Sequence, residues 1–180
     1  MNSALVDRYR GEWESLRGGP FPEILSGDRP TNPLLLDVPD AYFDADWKVM
    51  IFGQETNDWE GFFPCEGGVD HLLKTYREFY NNGGCYVYGG HFWNGFKRFK
   101  QALEEGLRPT GSTVHVLWNN VIKIGKAYDK GKPAAPIRNW QRSWFEVVRF
   151  EINHLQPTVV LFLSGPEYDT EICQICPGAE

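Results

Sequence analysis

A run of polar residues near residue 53 offers groups suited to acid–base chemistry. The segment Gly53-Gln54-Glu55-Thr56-Asn57 directly follows an apolar run and brings together two amides, a carboxylate and a hydroxyl. Glycine lets the backbone turn sharply, and a carboxylate there can position or deprotonate a water molecule. We therefore single out Glu55 and Asn57 as catalytic candidates. The alternative is that either side chain simply caps a turn or the next helix.

A second polar group follows the next apolar run and suits recognition of a planar heterocycle. Trp118 is followed by Asn119 and Asn120, and an amide offers a donor pair and an acceptor to the edge of a base. Lys123 and Lys126 come a few residues later and are candidates for contact with phosphates. The alternatives are that the asparagines shape a turn and that the lysines belong to a solvated loop.

Two aromatic residues after the first polar segment are candidates for stacking on a base. Phe62 and Phe63 lie in the stretch expected to form a loop, and stacking of a base on an aromatic ring contributes about 1–3 kcal/mol. The competing interpretation is that both rings only seal the core beneath that loop.

The cysteines and histidines form no recognisable metal-ligand pattern. Cys173 and Cys176 have the spacing of a metal or redox pair, but Cys65 and Cys85 lack a partner at short spacing. A structural zinc site needs four ligands, so we expect no metal and two reduced cysteines on a helix face. Motifs of the types GxGxxG, P-loop, HExxH and GxSxG are absent, so no cofactor is expected.

Three short apolar runs separated by helical patterns predict the sheet that positions these groups. We expect strands at 48–53, 113–118 and 159–163, and helices at 4–17, 69–81, 92–105, 140–155 and 168–176. Residues 18–46, 54–68 and 119–138 are predicted as irregular connections. This alternation favours a three-layer α/β/α sandwich with a short, mainly parallel central sheet. Ligands bind such sheets beyond the carboxyl ends of the strands, where the loops from Gly53, Asn119 and Ser164 would meet.

Length and composition predict one globular domain. The 180 residues are 42% hydrophobic and 15% aromatic, which excludes disordered, collagen-like and disulfide-scaffold classes. No run approaches the ~20 apolar residues of a membrane span, and the charged amino-terminal segment lacks the apolar core of a signal peptide. A soluble, cytoplasmic protein without a membrane partner is expected, with its oligomeric state open.

The charge distribution keeps a polyanionic partner in consideration. The net charge is −6, yet residues 91–150 carry 11 basic and 4 acidic groups. The electrostatic potential near a surface depends on local charge rather than on the total, so the basic segment leaves DNA open as a partner.

The order of these motifs resembles the uracil-DNA glycosylase superfamily over roughly residues 45–170. The segment 53–57 looks like the family's first motif, with Glu55 at the acid position and Thr56 in place of its proline. The second core strand of the family ends in an asparagine that reads the base edge, and Asn119 or Asn120 matches it by position. The resemblance implies one α/β domain over residues 1–180.

Further roles follow from the resemblance alone. An aromatic residue after the first motif stacks on the base, which indicates Phe62 or Phe63, and Gln54 would also face the base. The strand at 159–163 with Ser164 and Gly165 is similar to the family strand that precedes a DNA-facing loop, which implies phosphate contacts there.

The implied activity is hydrolysis of the N-glycosidic bond of a flipped, uracil-like base in DNA. The chain departs from the family at its carboxyl end, because the family has a His-Pro-Ser-like loop after a fourth strand and no histidine follows His154 here. This departure leaves enzyme activity open. Either the chain is truncated relative to the family, or the role of that histidine is missing. The alternatives are a non-catalytic nucleobase or nucleic-acid binding protein of the same fold, and a small-metabolite α/β hydrolase.

Overall fold

A parallel sheet of three strands forms the centre of the molecule. The computed structural model describes residues 3–21 and 27–176. The strands pair in the order β2-β1-β3, with the bounds β1 Trp47–Asn57, β2 Val114–Lys126 and β3 Val159–Phe162. In the register, Ile51 of β1 lies between Trp118 of β2 and Leu161 of β3. Consecutive apolar residues such as 49–52 are typical of a strand covered on both faces.

Helices cover both faces of this sheet. Within the described residues the α-helices are α1 Ser3–Gly18, α2 Asp40–Asp44, α3 Gly68–Tyr76, α4 Gly90–Leu107, α5 Ala135–Trp144, α6 Val148–Leu155 and α7 Asp169–Ile175. A π-helical turn, Arg77–Asn81, continues α3, and a 3-10 turn, Pro166–Tyr168, precedes α7. The predicted three-layer α/β/α sandwich with a parallel sheet is confirmed. None of the helices in the described part of the chain is long and apolar enough to cross a membrane.

Two neighbouring residues of β2 show which helices lie on which face. Asn119 contacts Glu151 of α6, whose other carboxylate oxygen contacts Tyr9 of α1. Asn120 and Phe92 of α4 instead lie together above Gly53 of β1. Successive side chains of a strand point to opposite faces, so α1 and α6 cover one face and α4 covers the other.

The first two strands run further than the sequence predicts. β1 continues to Asn57 and β2 to Lys126, so the irregular connections predicted from residues 54 and 119 are wrong over their first residues. A register shift near Asn57 accommodates the extension. Gly125 is required there, because a Cβ at this position would lie 1.6 Å from the carbonyl oxygen of Thr56. Polar residues can continue the strands because their backbone groups pair between β1 and β2 and their buried side chains find hydrogen-bond partners.

The helix predicted over 140–155 is wrong, since two helices occupy this segment. α5 ends at Trp144 and α6 begins at Val148, with Phe145 in a non-helical conformation between them. Trp144, expected to face the core, is 37% exposed, whereas Phe145 is buried. Phe145 lies off the apolar stripe of a straight helix, so the break lets its side chain enter the core.

The irregular connection at 18–46 is more ordered than its composition suggests. Residues 30–38 are buried, and α2 lies near the end of the segment. Thr31 and Asn32 bond to the backbone of β2 and of the stretch after β1, which fixes the segment against the sheet. Residues 22–26 of this connection lie outside the described residues.

Candidate functional site

A cleft of about 580 Å³ opens at the carboxyl end of β1. Its walls come from β1 and the turn after it, from the π-helical turn, from the start of α4 and from the middle of β2. The end of a central parallel strand, where the strand order reverses, is where open α/β sheets bind ligands. The volume falls within the range of about 300–1,000 Å³ that small-molecule and cofactor sites occupy.

Aromatic rings form most of the apolar wall of the cleft. The lining residues of this type are Trp59, Phe79, Tyr88, Phe92, Trp93 and Trp118. Phe92 and Trp93 pack edge to face at 5.0 Å, and Trp93 lies 5.1 Å from Trp118. Edge-on and tilted rings of this kind offer flat surfaces to a planar ligand.

Asn120 presents an amide nitrogen to the cleft. Its side chain is only 3% exposed, and Trp118 donates its indole N–H to Asn120 Oδ1 at 3.3 Å. An indole nitrogen can only donate, so Oδ1 is the acceptor and Nδ2 is left as the donor. Among the described residues no hydrogen bond engages that Nδ2. Gly53 makes room for the amide, because a Cβ there would lie 2.6 Å from Oδ1.

Asn119 points away from the cleft into a fully buried polar cluster. We call Tyr9, Asn119, Lys123 and Glu151 the core network, and each of them is buried. Lys123 Nζ lies 2.8 Å from Glu151 Oε1 and donates to Asn119 Oδ1 at 2.5 Å. Asn119 Nδ2 donates to Glu151 Oε2 at 2.8 Å, and the Tyr9 hydroxyl donates to Oε1 at 2.5 Å. Burial lowers the pKa of Lys123, and the carboxylate of Glu151 opposes that shift.

The core network corrects two expectations drawn from the sequence. Asn119 lies neither at the end of a strand nor at the cleft, so its amide faces no base edge. Lys123 belongs to no solvated loop, and its ammonium has no path to a phosphate because the side chain is wholly buried. A buried ammonium group needs a charged partner, and Glu151 supplies it from a helix 28 positions later in the chain.

The other residues expected to contact phosphates also lie away from the cleft. Lys126 pairs with Asp129 at 2.9 Å, and this hydrogen bond raises the pKa of Lys126. Ser164 is buried after β3, and its carbonyl oxygen accepts from Gln54 Nε2 at 2.8 Å. Gly165 follows with a φ of 78°, which favours glycine. Within the described part of the chain, these residues are absent from the cleft lining.

The acid and amide candidates of the first polar segment do meet at the cleft. Gln54, Glu55 and Asn57 all line it. Glu55 is buried, and the hydroxyl of Tyr168 donates to Glu55 Oε2. Burial and this hydrogen bond together raise the pKa of Tyr168. Asn57 is exposed at the end of β1, so an anchored carboxylate and a solvent-accessible amide share one wall.

The two aromatic candidates for stacking lie outside the cleft. Phe63 is buried against Trp13 and Trp140, with ring centroids 5.0 and 5.2 Å away, so it seals the core. Phe62 is half-exposed and packs against Tyr128, with the guanidinium of Arg29 4.7 Å from its ring centre. The rings that do line the cleft come from other elements.

Several residues of the cleft were not predicted as site residues from the sequence. Phe92 fits the apolar spacing of the helix predicted over 92–105, which assigns it to the core, whereas that spacing does not single out Trp93. His91 and Lys130 also line the cleft. Gly89 precedes α4 and Gly90 begins it, and the first turn of this helix holds no acid and its cap has no side-chain hydrogen bond. A glycine pair before an aromatic-rich helix start was the available signal, because free N–H groups at a helix start attract anions.

The described residues hold no group of three or more His, Cys, Asp and Glu side chains arranged to bind a metal. Cys173 and Cys176 are free thiols in and after α7. Comparison of the chain with family models, with curated proteins and with solved structures found no match.

Proposed function

We propose that the cleft binds a nucleobase and that the protein hydrolyses the N-glycosidic bond joining a flipped, uracil-like base to its sugar. The observation that carries the proposal is the amide nitrogen of Asn120, a residue of the aromatic cleft wall, which has no hydrogen-bond partner among the described residues. An amide nitrogen that no protein group engages is free to donate to a ligand.

The cleft offers both faces and an edge to a planar ligand. Aromatic rings from α4 and β2 line the cleft and would stack on the base. Asn120 Nδ2 would donate to a carbonyl group on the edge of the base. The open start of α4 and Lys130 give an anionic phosphate a place at the same cleft.

The chemistry is a displacement by water. A water molecule held by Glu55 or Asn57 attacks the anomeric carbon and gives up its proton to the carboxylate as the carbon–nitrogen bond breaks. The base leaves with the bonding electron pair, and the N–H of Asn120 stabilises the charge that develops on its carbonyl oxygen. By analogy with oxyanion donors, losing this contact would raise the barrier by about 2.7–4 kcal/mol.

Release of base from oligonucleotides tests the proposal. Single- and double-stranded oligonucleotides that contain uracil would be incubated with the protein, and abasic sites counted after alkaline cleavage. We expect base release by the native chain, loss with Asn120→Ala and with Glu55→Gln, and no change with Asn153→Ala, an exposed asparagine on α6. Absence of both release and base binding would overturn the proposal.

One observation favours a second candidate, a nucleobase-binding protein without catalysis. The carboxylate of Glu55 is buried, and Tyr168 occupies one of its oxygens, which leaves less of it for a water molecule. This candidate predicts saturable, salt-dependent oligonucleotide binding with no abasic product. Tyr168→Phe would distinguish the two, because freeing Glu55 increases turnover only where turnover exists.

A further inference from the structure

A second cavity, of about 390 Å³, lies between the end of α7 and the break that separates α5 from α6. We call it the α7 cavity, and its polar lining includes Arg142, Glu146, Arg149, Cys173 and Gln174. None of these residues lines the cleft at the end of β1. The α7 cavity is therefore a separate site that the proposed function leaves unused.

The α7 cavity holds the most accessible thiol of the chain. The structure describes all four cysteines, of which Cys85 is buried, Cys65 and Cys176 are half-buried, and Cys173 is exposed. Exchange between a thiol and a disulfide requires access to the attacking sulfur. Cys173 is accordingly the cysteine that a small disulfide in solution reaches first.

Two guanidinium groups border the same cavity. Arg149 donates to the backbone oxygen of Gln174, and Arg142 donates to Gln174 Oε1 at 3.4 Å. Arg142 also donates to Asn139 Oδ1 at 2.6 Å, but among the described residues neither arginine forms an ion pair with a carboxylate. A guanidinium carries five N–H donors and binds carboxylates well. Glu146 is the one carboxylate in the described lining, so the cavity favours a molecule that carries carboxylates.

Cys176 lies within reach of Cys173 for a disulfide bond. The N–H of Cys176 donates to the carbonyl oxygen of Ile172 at 2.8 Å, so the helical path of α7 extends to residue 176. Three residues along a helix separate two Cα atoms by about 5 Å, and disulfides span about 4.4–6.8 Å between Cα atoms. The last turn of α7 can therefore close a disulfide between these two cysteines.

We propose that the α7 cavity is a thiol-modification site, where Cys173 exchanges with a small carboxylate-bearing disulfide and Cys176 then closes a disulfide with Cys173. In the first step the thiolate of Cys173 attacks one sulfur of the small disulfide. The S–S bond breaks, and the other half leaves as a thiolate that takes up the proton lost by Cys173. In the second step the thiolate of Cys176 attacks Sγ of Cys173 and releases the remaining half in the same way. Two protein thiols are oxidised, and one small disulfide is reduced to two thiols.

Glutathione disulfide, whose two halves carry carboxylates, is the probe that tests the site. The reduced full chain would be incubated with it and analysed by intact mass and peptide mapping. We expect the native chain to form the Cys173–Cys176 disulfide, and Cys176→Ser to retain a glutathionyl group on Cys173. Cys65→Ser, the matched control, should react as the native chain does. Modification of Cys65 or Cys85 in place of Cys173, or an equally lasting adduct in the native chain and in Cys176→Ser, would overturn the inference.

The role of the arginines is tested by the ratio of two reaction rates, one with glutathione disulfide and one with uncharged hydroxyethyl disulfide. Both probes react with the same thiolate, so their rate ratio does not depend on how much of the thiol is ionised. Arg142→Gln combined with Arg149→Gln should lower this ratio by about 3- to 10-fold, and Glu146→Gln should raise it. Arg98→Gln, at an exposed arginine of α4, should leave it unchanged. An unchanged ratio in the double variant would contradict the role of the arginines.

Ionic strength provides the same test in the native chain, where folding of a variant is not in question. Salt screens interactions between exposed charges, so the rate with glutathione disulfide should fall relative to that with hydroxyethyl disulfide as salt is added. A ratio that does not change with salt would overturn the attraction of carboxylates to this cavity.

Discussion

Asn119 and Asn120 are chemically identical neighbours on β2, yet they lie in opposite surroundings. Asn119 faces α6, where Lys123 and Glu151 engage both ends of its amide. Asn120 faces the cleft, where Trp118 engages only the oxygen. On one side of the strand both ends of the amide are hydrogen-bonded within the protein, while on the other side the amide nitrogen has no partner. The comparison separates a polar group that stabilises the fold from one that is available to a ligand.

The largest expected effect comes from breaking the core network. Lys123→Met leaves the carboxylate of Glu151 buried without its ammonium partner, so the free energy of unfolding should fall by about 3–5 kcal/mol. Urea denaturation measures it. Lys130→Met, at the cleft, is the matched control and should change stability little. Replacing both partners, as Lys123→Met with Glu151→Leu, should recover part of the loss. A single variant within about 1 kcal/mol of the native protein would contradict the importance of the pair.

Gly53→Ala perturbs the cleft side of the comparison. The new Cβ would lie 2.6 Å from Asn120 Oδ1 and 3.0 Å from the ring of Phe92, so both must move. We expect a loss of about 1–3 kcal/mol in stability and of nucleobase affinity with it. Gly106→Ala on α4, where no atom lies within 4 Å, should instead stabilise by about 0.5–1 kcal/mol. Equal thermal midpoints for the two variants would refute the close approach at Gly53.

Alanine at each asparagine tests the comparison directly. Asn119→Ala leaves Lys123 and Glu151 with unsatisfied bonds and should cost about 1–3 kcal/mol of stability. Asn120→Ala removes an unpaired donor and also the acceptor of the Trp118 indole N–H, so stability should fall by about 1 kcal/mol, less than in Asn119→Ala, while base binding is lost. Denaturation and NMR titration of both variants would show whether the two roles separate. The opposite ranking in either measurement would mean that the assignments are exchanged.

A smaller effect of pH should appear at a partly buried ion-pair cluster. Burial acts to raise the pKa of Glu171, but hydrogen bonds from Lys132 and Arg138 outweigh it and hold that pKa below its usual 4.5. A lowered folded-state pKa gives stability that is complete above the unfolded value and is lost as the pH falls below it. Stability should therefore drop more steeply below about pH 4.5 in the native protein than in Glu171→Gln. Added salt should weaken this difference and leave the core network unaffected.

The periodicity of the sequence was sufficient to predict the layers of the fold and the end of the sheet where polar residues gather. Short apolar runs reveal parallel strands because both faces of such strands are covered. The run at 48–53 therefore placed Glu55 and Asn57 at the correct edge of the sheet.

The burial of polar residues was beyond reach of the same reasoning. Lys123 read as part of a basic loop because its partner Glu151 lies on a distant helix. Had β2 been extended past residue 118, the alternation of faces alone would have sent Asn119 and Asn120 to opposite sides. Phe92 fits a core stripe and a cleft wall equally well, since helical spacing does not reveal what lies opposite the stripe.

Tyr168 lies in the short turn between β3 and α7, and its hydroxyl donates a hydrogen bond to Glu55 of β1. This hydrogen bond links two stretches that are far apart in the sequence. Local unfolding of residues 166–175 would break the hydrogen bond from Tyr168 to Glu55. A ligand that binds more tightly when this hydrogen bond is intact must therefore make that local unfolding less favourable. Binding of such a ligand in the cleft should then slow amide hydrogen exchange in α7, although no residue of that helix lines the cleft.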